Sequence, residues 1–226
     1  MERVLPILFN TEMVRAILDG RKTVTRRLVK PQQLIGILPD KCKNGMPEEF
    51  LKEKKFMFKP YCDMTDAELI KTAYNPPYQP GDILYIRETW QYLYELDGNE
   101  QIIEGTGKYY YAATDTLPFD TYVDSMGVSH DRVPWKPSIH MQKEAARIWL
   151  KVKDVRVERL QEISGGDLLK EGIDLFQSNY VRVAFDEFKN LWNSTIKKED
   201  LDLYGWDADP WVWVIEFERC EKPENM

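Results

Sequence analysis

The order in which the chain changes its hydrophobic period constrains its fold more tightly than any motif it carries. Residues 4–9 form an apolar run long enough for a buried strand. Asn10 or Thr11 follows, and either side-chain oxygen can accept from a free N–H in the first turn of a helix. Met13, Val14, Ile17 and Leu18 then recur at the spacing of one buried helical face, and Gly20 stands where a left-handed cap belongs. Thr23, Val24, Thr25, Leu28 and Val29 are mostly β-branched or aliphatic and favour an extended segment up to Pro31. Strand, helix and strand are therefore complete before Pro31.

Later elements follow through equally short connections. Pro39, Pro47, Pro60, Pro76, Pro77 and Pro80 interrupt residues 32–80, which read as an insertion holding one or two short helices. Gly81-Asp82 is a turn launching residues 83–90, apolar on both faces as in a central strand. Along that run Leu84, Ile86 and Glu88 share one side and Ile83, Tyr85 and Arg87 the other, so adjacent opposite charges arrive at the strand end and one should point inward. Residues 108–113 are a tyrosine-rich strand. Residues 147–160 alternate with a phase slip near Asp154, which implies a bulge or bend. Ser164, with Asp167 three positions on, can cap a short helix running to Gly172. Val181, Ala184, Phe185, Phe188, Leu191 and Trp192 make an amphipathic stripe of core residues, and a turn at 205–210 introduces a closing strand at 211–217. Few connections are long enough for regular βαβ crossovers. The order points to a mixed α+β or closed-barrel fold over a doubly wound sheet, with one domain spanning 1–226.

Charge is unevenly placed. Residues 1–33 hold seven Lys/Arg against three acids in a chain of net charge −7, with four of those cations inside Gly20-Arg21-Lys22-Thr23-Val24-Thr25-Arg26-Arg27. Either this octapeptide faces an anion, with nucleic acid or nucleotide the usual choice, or it is a solvated basic turn. No apolar run approaches the length of a membrane span, and no secretory signal opens the chain, so a cytoplasmic protein is expected. Cys42, Cys62 and Cys220 are isolated thiols, neither a disulfide framework nor a zinc set.

Known signatures are scarce. Gly105-Thr106-Gly107-Lys108 imitates the end of a phosphate loop but lacks the upstream Gly and the following Ser/Thr, and it precedes a strand, so it reads as a hairpin turn. His130 and His140 have no Cys partner and no HExxH helix. What remains is Lys22 with Thr25 three residues on, and Glu88. A threonine hydroxyl needs a base to become nucleophilic, a lysine can supply one when burial lowers its pKa, and a carboxylate can orient that lysine or relay its proton. The alternative is a structural Lys22–Glu88 ion pair, with Thr25 simply pairing across strands.

The pattern Gly20-x-Lys22-x-x-Thr25-x-Arg27, after Leu8-Phe9 and a short helix, resembles the signature of the ASCH superfamily of PUA-like β-barrels. Residues 80–90, 147–160 and 204–213 are similar to the same segments of phage and prophage ASCH-domain proteins. The resemblance implies an α+β fold with a PUA-like mixed β-barrel flanked by short helices, with 34–79 and 91–146 as insertions beyond the minimal core, and a partner that is RNA or a modified nucleoside. One family member is a small amidohydrolase of N4-acetylcytidine that uses a Lys, a Thr and a Glu. Carried over by motif, these correspond to Lys22, Thr25 and Glu88. Arg27, Arg87 and Arg26 would hold phosphate or carbonyl oxygens, and Tyr85, Trp135 and Trp206 would offer stacking surfaces. No cofactor or metal is implied. A non-catalytic RNA-binding module, with Lys22, Arg26 and Arg27 on backbone phosphates, and a ribonuclease are the alternatives.

Overall fold

A computed structural model describes residues 3–30, 65–99, 101–118, 122–123, 126, 128–173 and 181–223. The chain is mixed α+β. Its strands are β1 (Val4–Leu8), β2 (Val24–Leu28), β3 (Ile83–Arg87), β4 (Trp90–Leu93), β5 (Lys108–Tyr111), β6 (Tyr122–Val123), β7 (Ser129–His130), β8 (Trp149–Arg159) and β9 (Trp211–Cys220). Its α-helices are α1 (Thr11–Leu18), α2 (Asp66–Ala73), α3 (Gly165–Lys170), α4 (Val181–Ser194) and α5 (Leu201–Tyr204). Five strands form a mixed sheet in the order β1-β3-β8-β9-β2, while β4-β5 and β6-β7 are two-stranded ribbons.

A closed barrel, the finer expectation from the sequence, is not formed among the described residues, because the sheet order ends on β1 and β2. Part of the reason lies in β1 itself. Pro6 has no N–H to give to a second neighbour, and a sheet accepts such a residue at its edge. The expected insertion at 34–79 falls largely outside the described residues, since 31–64 are not among them; α2, capped by Thr65 and Glu68, is its described helix. Cys42 and Cys62 likewise lie outside the described residues.

The chain divides into two compact units, one of residues 1–22, 81–151 and 218–226 and the other of residues 23–80 and 152–217. In the first, Asn10 Oδ1 accepts from Met13 N–H at 2.8 Å and starts α1. Gly20, at φ +75°, ends it, and the Arg21 and Lys22 N–H groups both donate back to the Ala16 carbonyl, at 2.9 and 3.0 Å. A residue with a Cβ would be strained at that φ, so Gly20 sets the reversal that delivers Lys22. Strand β3 pairs parallel with β1, from Val4 opposite Ile83 to Leu8 opposite Arg87, and antiparallel with β8 through Lys151. The run 83–90 does not remain one strand. It leaves the sheet after Arg87, and Trp90 begins β4 in the ribbon with β5. Gly107 lies so close under the Tyr92 phenol that a Cβ would collide with it, which accounts for this glycine in the hairpin turn. Ile83, Trp90, Met141, Ala145, Ala146 and Trp149 form the core beneath.

In the second unit, β2 runs antiparallel to β9, with Thr25 opposite Ile215 and Arg27 opposite Trp213. The core comprises Val24, Leu160, Ile163, Leu168, Ala184, Phe188, Trp192, Val212 and Val214. Each such large aliphatic side chain, fully buried, contributes about 1.5–3 kcal/mol. The stripe on α4 is core-facing at Ala184, Phe188 and Trp192, and Ser164 with Asp167 closes a full capping box on α3. The slip in β8 leaves Lys153 and Asp154 both exposed before Val155 turns inward. Residues 206–208 make a 3-10 turn where a plain turn was expected, ending at Asp209 with φ 45°.

Candidate functional site

In the first unit two oppositely charged side chains are almost entirely withdrawn from water. Lys22, delivered by the Gly20 reversal, is 2% exposed, with its Nζ 5.8 Å from the centroid of the Phe9 ring, within cation–π range. Glu88, the residue after β3, is 1% exposed. Burying either charge costs several kcal/mol unless it is answered.

Glu88 is answered by Arg147. The Arg147 Nε donates to Oε1 at 2.9 Å and Nη2 to Oε2 at 3.0 Å, the two-pronged geometry that a guanidinium offers a carboxylate. The remaining Nη1 donates to Thr114 Oγ1 at 2.8 Å, and the guanidinium carbon sits 4.0 Å from the centroid of the Tyr111 ring. Tyr111 is fixed in turn by its hydroxyl, which donates to the Ala145 carbonyl at 2.7 Å. Burial pushes the Tyr111 phenol up to about 12, against the opposing pull of Arg147. The Glu88 N–H points at Met141 Sδ, 3.2 Å away. Of the adjacent charges at the strand end, Glu88 is therefore the inward one. Arg87 stays half-buried and donates from Nη2 to the Ile139 carbonyl. Tyr85, also in this unit, faces Trp149 with ring centroids 5.9 Å apart, and Trp135 is half-buried.

The second unit holds the other residues singled out from the sequence. Thr25 is 1% exposed within β2. Arg26, its side chain also 1% exposed, donates to Glu171 at 2.9 Å and to Glu158 at 3.3 Å, with Asp167 at 3.9 Å. Arg156 joins the same cluster through Glu158 and Asp167. Burial raises the Asp167 carboxyl, but hydrogen bonds from the Ser164 hydroxyl and N–H, with Arg26 and Arg156, outweigh it and hold the group below its usual value. Arg27 is half-buried; loss of water lowers its pKa, with Tyr78 and Glu171 pulling the other way. Trp206 packs edge-on against Phe188 with ring centroids 6.0 Å apart, and its backbone N–H donates to Asn193 Oδ1.

Lys22, Glu88, Arg87, Tyr85 and Trp135 thus belong to one unit, and Thr25, Arg26, Arg27 and Trp206 to the other. Sequence reasoning passed over Arg147, Glu171 and Tyr78. For Arg147 there was a signal: a lone cation directly before the apolar Ile148-Trp149-Leu150, where a buried strand start needs a partner for its charge. Among the described residues no group of three or more His, Cys, Asp or Glu is placed to hold a metal ion, and no helix is long and apolar enough to cross a membrane.

No family model matches the chain, and no curated protein matches it. Among solved structures, protein EF3133 of Enterococcus faecalis, described by the family model DUF984, aligns over 97% of this chain and 80% of its own at 12% identity, with a TM-score of 0.30. A score so low carries no inference about fold or chemistry.

Proposed function

We propose that this chain is an ASCH-type cytoplasmic protein, its open mixed sheet standing for the PUA-like barrel of that family, and that it removes an acyl group from a modified cytidine, free or in RNA. The observation that supports this reading is the pair of opposite charges at motif positions, Lys22 and Glu88, each nearly excluded from water within one compact unit. In this reading Lys22 takes the proton of the Thr25 hydroxyl, and the oxygen attacks the amide carbonyl of an N4-acylated cytosine. The C–N bond breaks, the proton passes to the departing amine, and water then hydrolyses the acyl-threonine. Glu88 supplies the negative charge that keeps Lys22 oriented.

The non-catalytic RNA-binding reading is the weaker one. It puts Lys22, Arg26 and Arg27 on backbone phosphates, and of these the Arg26 guanidinium is enclosed by Glu171, Glu158 and Asp167. Incubation of the purified protein with N4-acetylcytidine tests the proposal: cytidine should accumulate, and Lys22→Met or Thr25→Val should slow its release by about 10²- to 10⁴-fold. No cytidine at high enzyme concentration and long times overturns it.

A further inference from the structure

Glu88 could serve a buried lysine in two ways, as a proton carrier or as a fixed anion, and the residues around it choose between them. A proton carrier must be able to take up a proton without losing its partners. Here both carboxylate oxygens already accept from one guanidinium, Nε to Oε1 and Nη2 to Oε2. A protonated carboxyl would turn one acceptor into a donor facing an N–H. The guanidinium itself is held on two further sides, by Thr114 Oγ1 and by the Tyr111 ring. Tyr111 is anchored to the Ala145 carbonyl, and Thr114 Oγ1 donates to Asp115 Oδ1 at 2.9 Å. Arg147 is 28% exposed while Glu88 is 1% exposed, so the cation remains partly hydrated and the anion depends on it.

We propose that Arg147 is a positioning residue: through its fork it fixes the buried Glu88 carboxylate in one orientation with both oxygens taken up as acceptors, so that Glu88 orients Lys22 and does not relay its proton. The role assigned to Lys22 rests on the nucleoside-hydrolase reading; the hold of Arg147 on Glu88 does not. Lysine cannot replace the fork, because an ammonium is a point donor where the site uses a planar pair of N–H groups. Thr114, Tyr111 and Ala145 are in this account the frame that aims Arg147.

The test crosses Arg147→Met with Glu88→Gln and reads melting temperature and turnover on the same preparations, with Arg147→Lys as a milder variant should Arg147→Met fold poorly. Removing Arg147 alone strands a buried carboxylate, and the melting temperature should fall by roughly 6 °C or more. Glu88→Gln should lower the melting temperature of the wild-type protein but raise that of Arg147→Met, because the same change removes a paired charge in one background and a stranded charge in the other. An equal effect of Glu88→Gln in both backgrounds overturns the hold, whatever the protein hydrolyses. With N4-acetylcytidine as the probe, Arg147→Met should lose at least about tenfold in kcat with little change in KM, Arg147→Lys should recover part of it, and Arg147→Met should cost nothing further once Glu88 is Gln. A full additional loss in the Glu88→Gln background means that Arg147 acts elsewhere. If the wild-type protein releases no cytidine, the hydrolase reading fails, and the melting data alone decide on the hold.

Discussion

Each unit buries an ion group, and the two are built on different plans. In the second unit one enclosed arginine, Arg26, meets three carboxylates drawn from β8, from the capping box of α3 and from the residue that ends α3. Charge is abundant there, yet its geometry is loose: the contacts run from 2.9 to 3.9 Å, and Arg26 Nε has no hydrogen-bond partner among the described residues. In the first unit one carboxylate meets one arginine, and every nitrogen of that arginine is directed, two at Glu88 and one at Thr114. The cluster ties elements together and tolerates imprecision. The pair fixes the position of a single carboxylate. Burial of charge therefore does not by itself mark a site, and the two units differ in how the partners of the buried charge are arranged.

That contrast can be broken by measurement, beginning where the effect is largest. Arg26→Met leaves buried Glu171 beside two other acids and should cost about 3–5 kcal/mol in chemical denaturation; a cost below about 1 kcal/mol would show that the cluster holds nothing together. Ser164→Ala should cost about 1 kcal/mol near neutral pH through the lost cap. Because the folded Asp167 value lies below the unfolded 3.8, its contribution is present above that value and disappears as pH falls through the lowered folded one. The penalty of Ser164→Ala, followed by denaturation at falling pH, should accordingly shrink in acid. Tyr111 has the opposite sign. Its folded value of about 12 exceeds the unfolded 10.0, so its contribution is complete below pH 10 and is lost as pH rises toward 12. Tyr111→Phe should flatten the alkaline fall in stability, and an unchanged alkaline profile would remove Tyr111 from the frame around Arg147. Smallest of all, Lys189→Ala breaks an exposed pair with Asp207 and should change stability by about 0.5 kcal/mol or less.

Local chemistry made much of the fold readable. Asn10, Gly20 and the Ser164–Asp167 box act within a few residues of themselves, and each sits where its side chain or its missing Cβ satisfies a helix end. Alternation located β8 and its slip at Asp154 for the same reason. Closure of the sheet was not readable, because it depends on whether distant edges find each other, and neither β1 nor β2 announces its neighbour. The break after Arg87 was hidden as well: an apolar run continues through it, while Glu88, just past the break, pairs with Arg147, 59 residues away. At the site, the strand-end charges led to Glu88 but not to its partner. Arg26, Lys22 and Arg27 look alike in the basic octapeptide, and their separation into packing, buried and half-buried roles is set by residues contributed from far along the chain.

In the proposed function the buried charges of the first unit serve chemistry, while those of the second serve stability. The most direct test measures N4-acetylcytidine hydrolysis and melting temperature for Lys22→Met and Arg26→Met beside the wild-type protein. Lys22→Met should slow cytidine release by about 10²- to 10⁴-fold while keeping a melting temperature within about 3 °C of wild type or above it, whereas Arg26→Met should melt at a clearly lower temperature. Undiminished hydrolysis by Lys22→Met, or a collapse of its melting temperature with Arg26→Met unaffected, would contradict it.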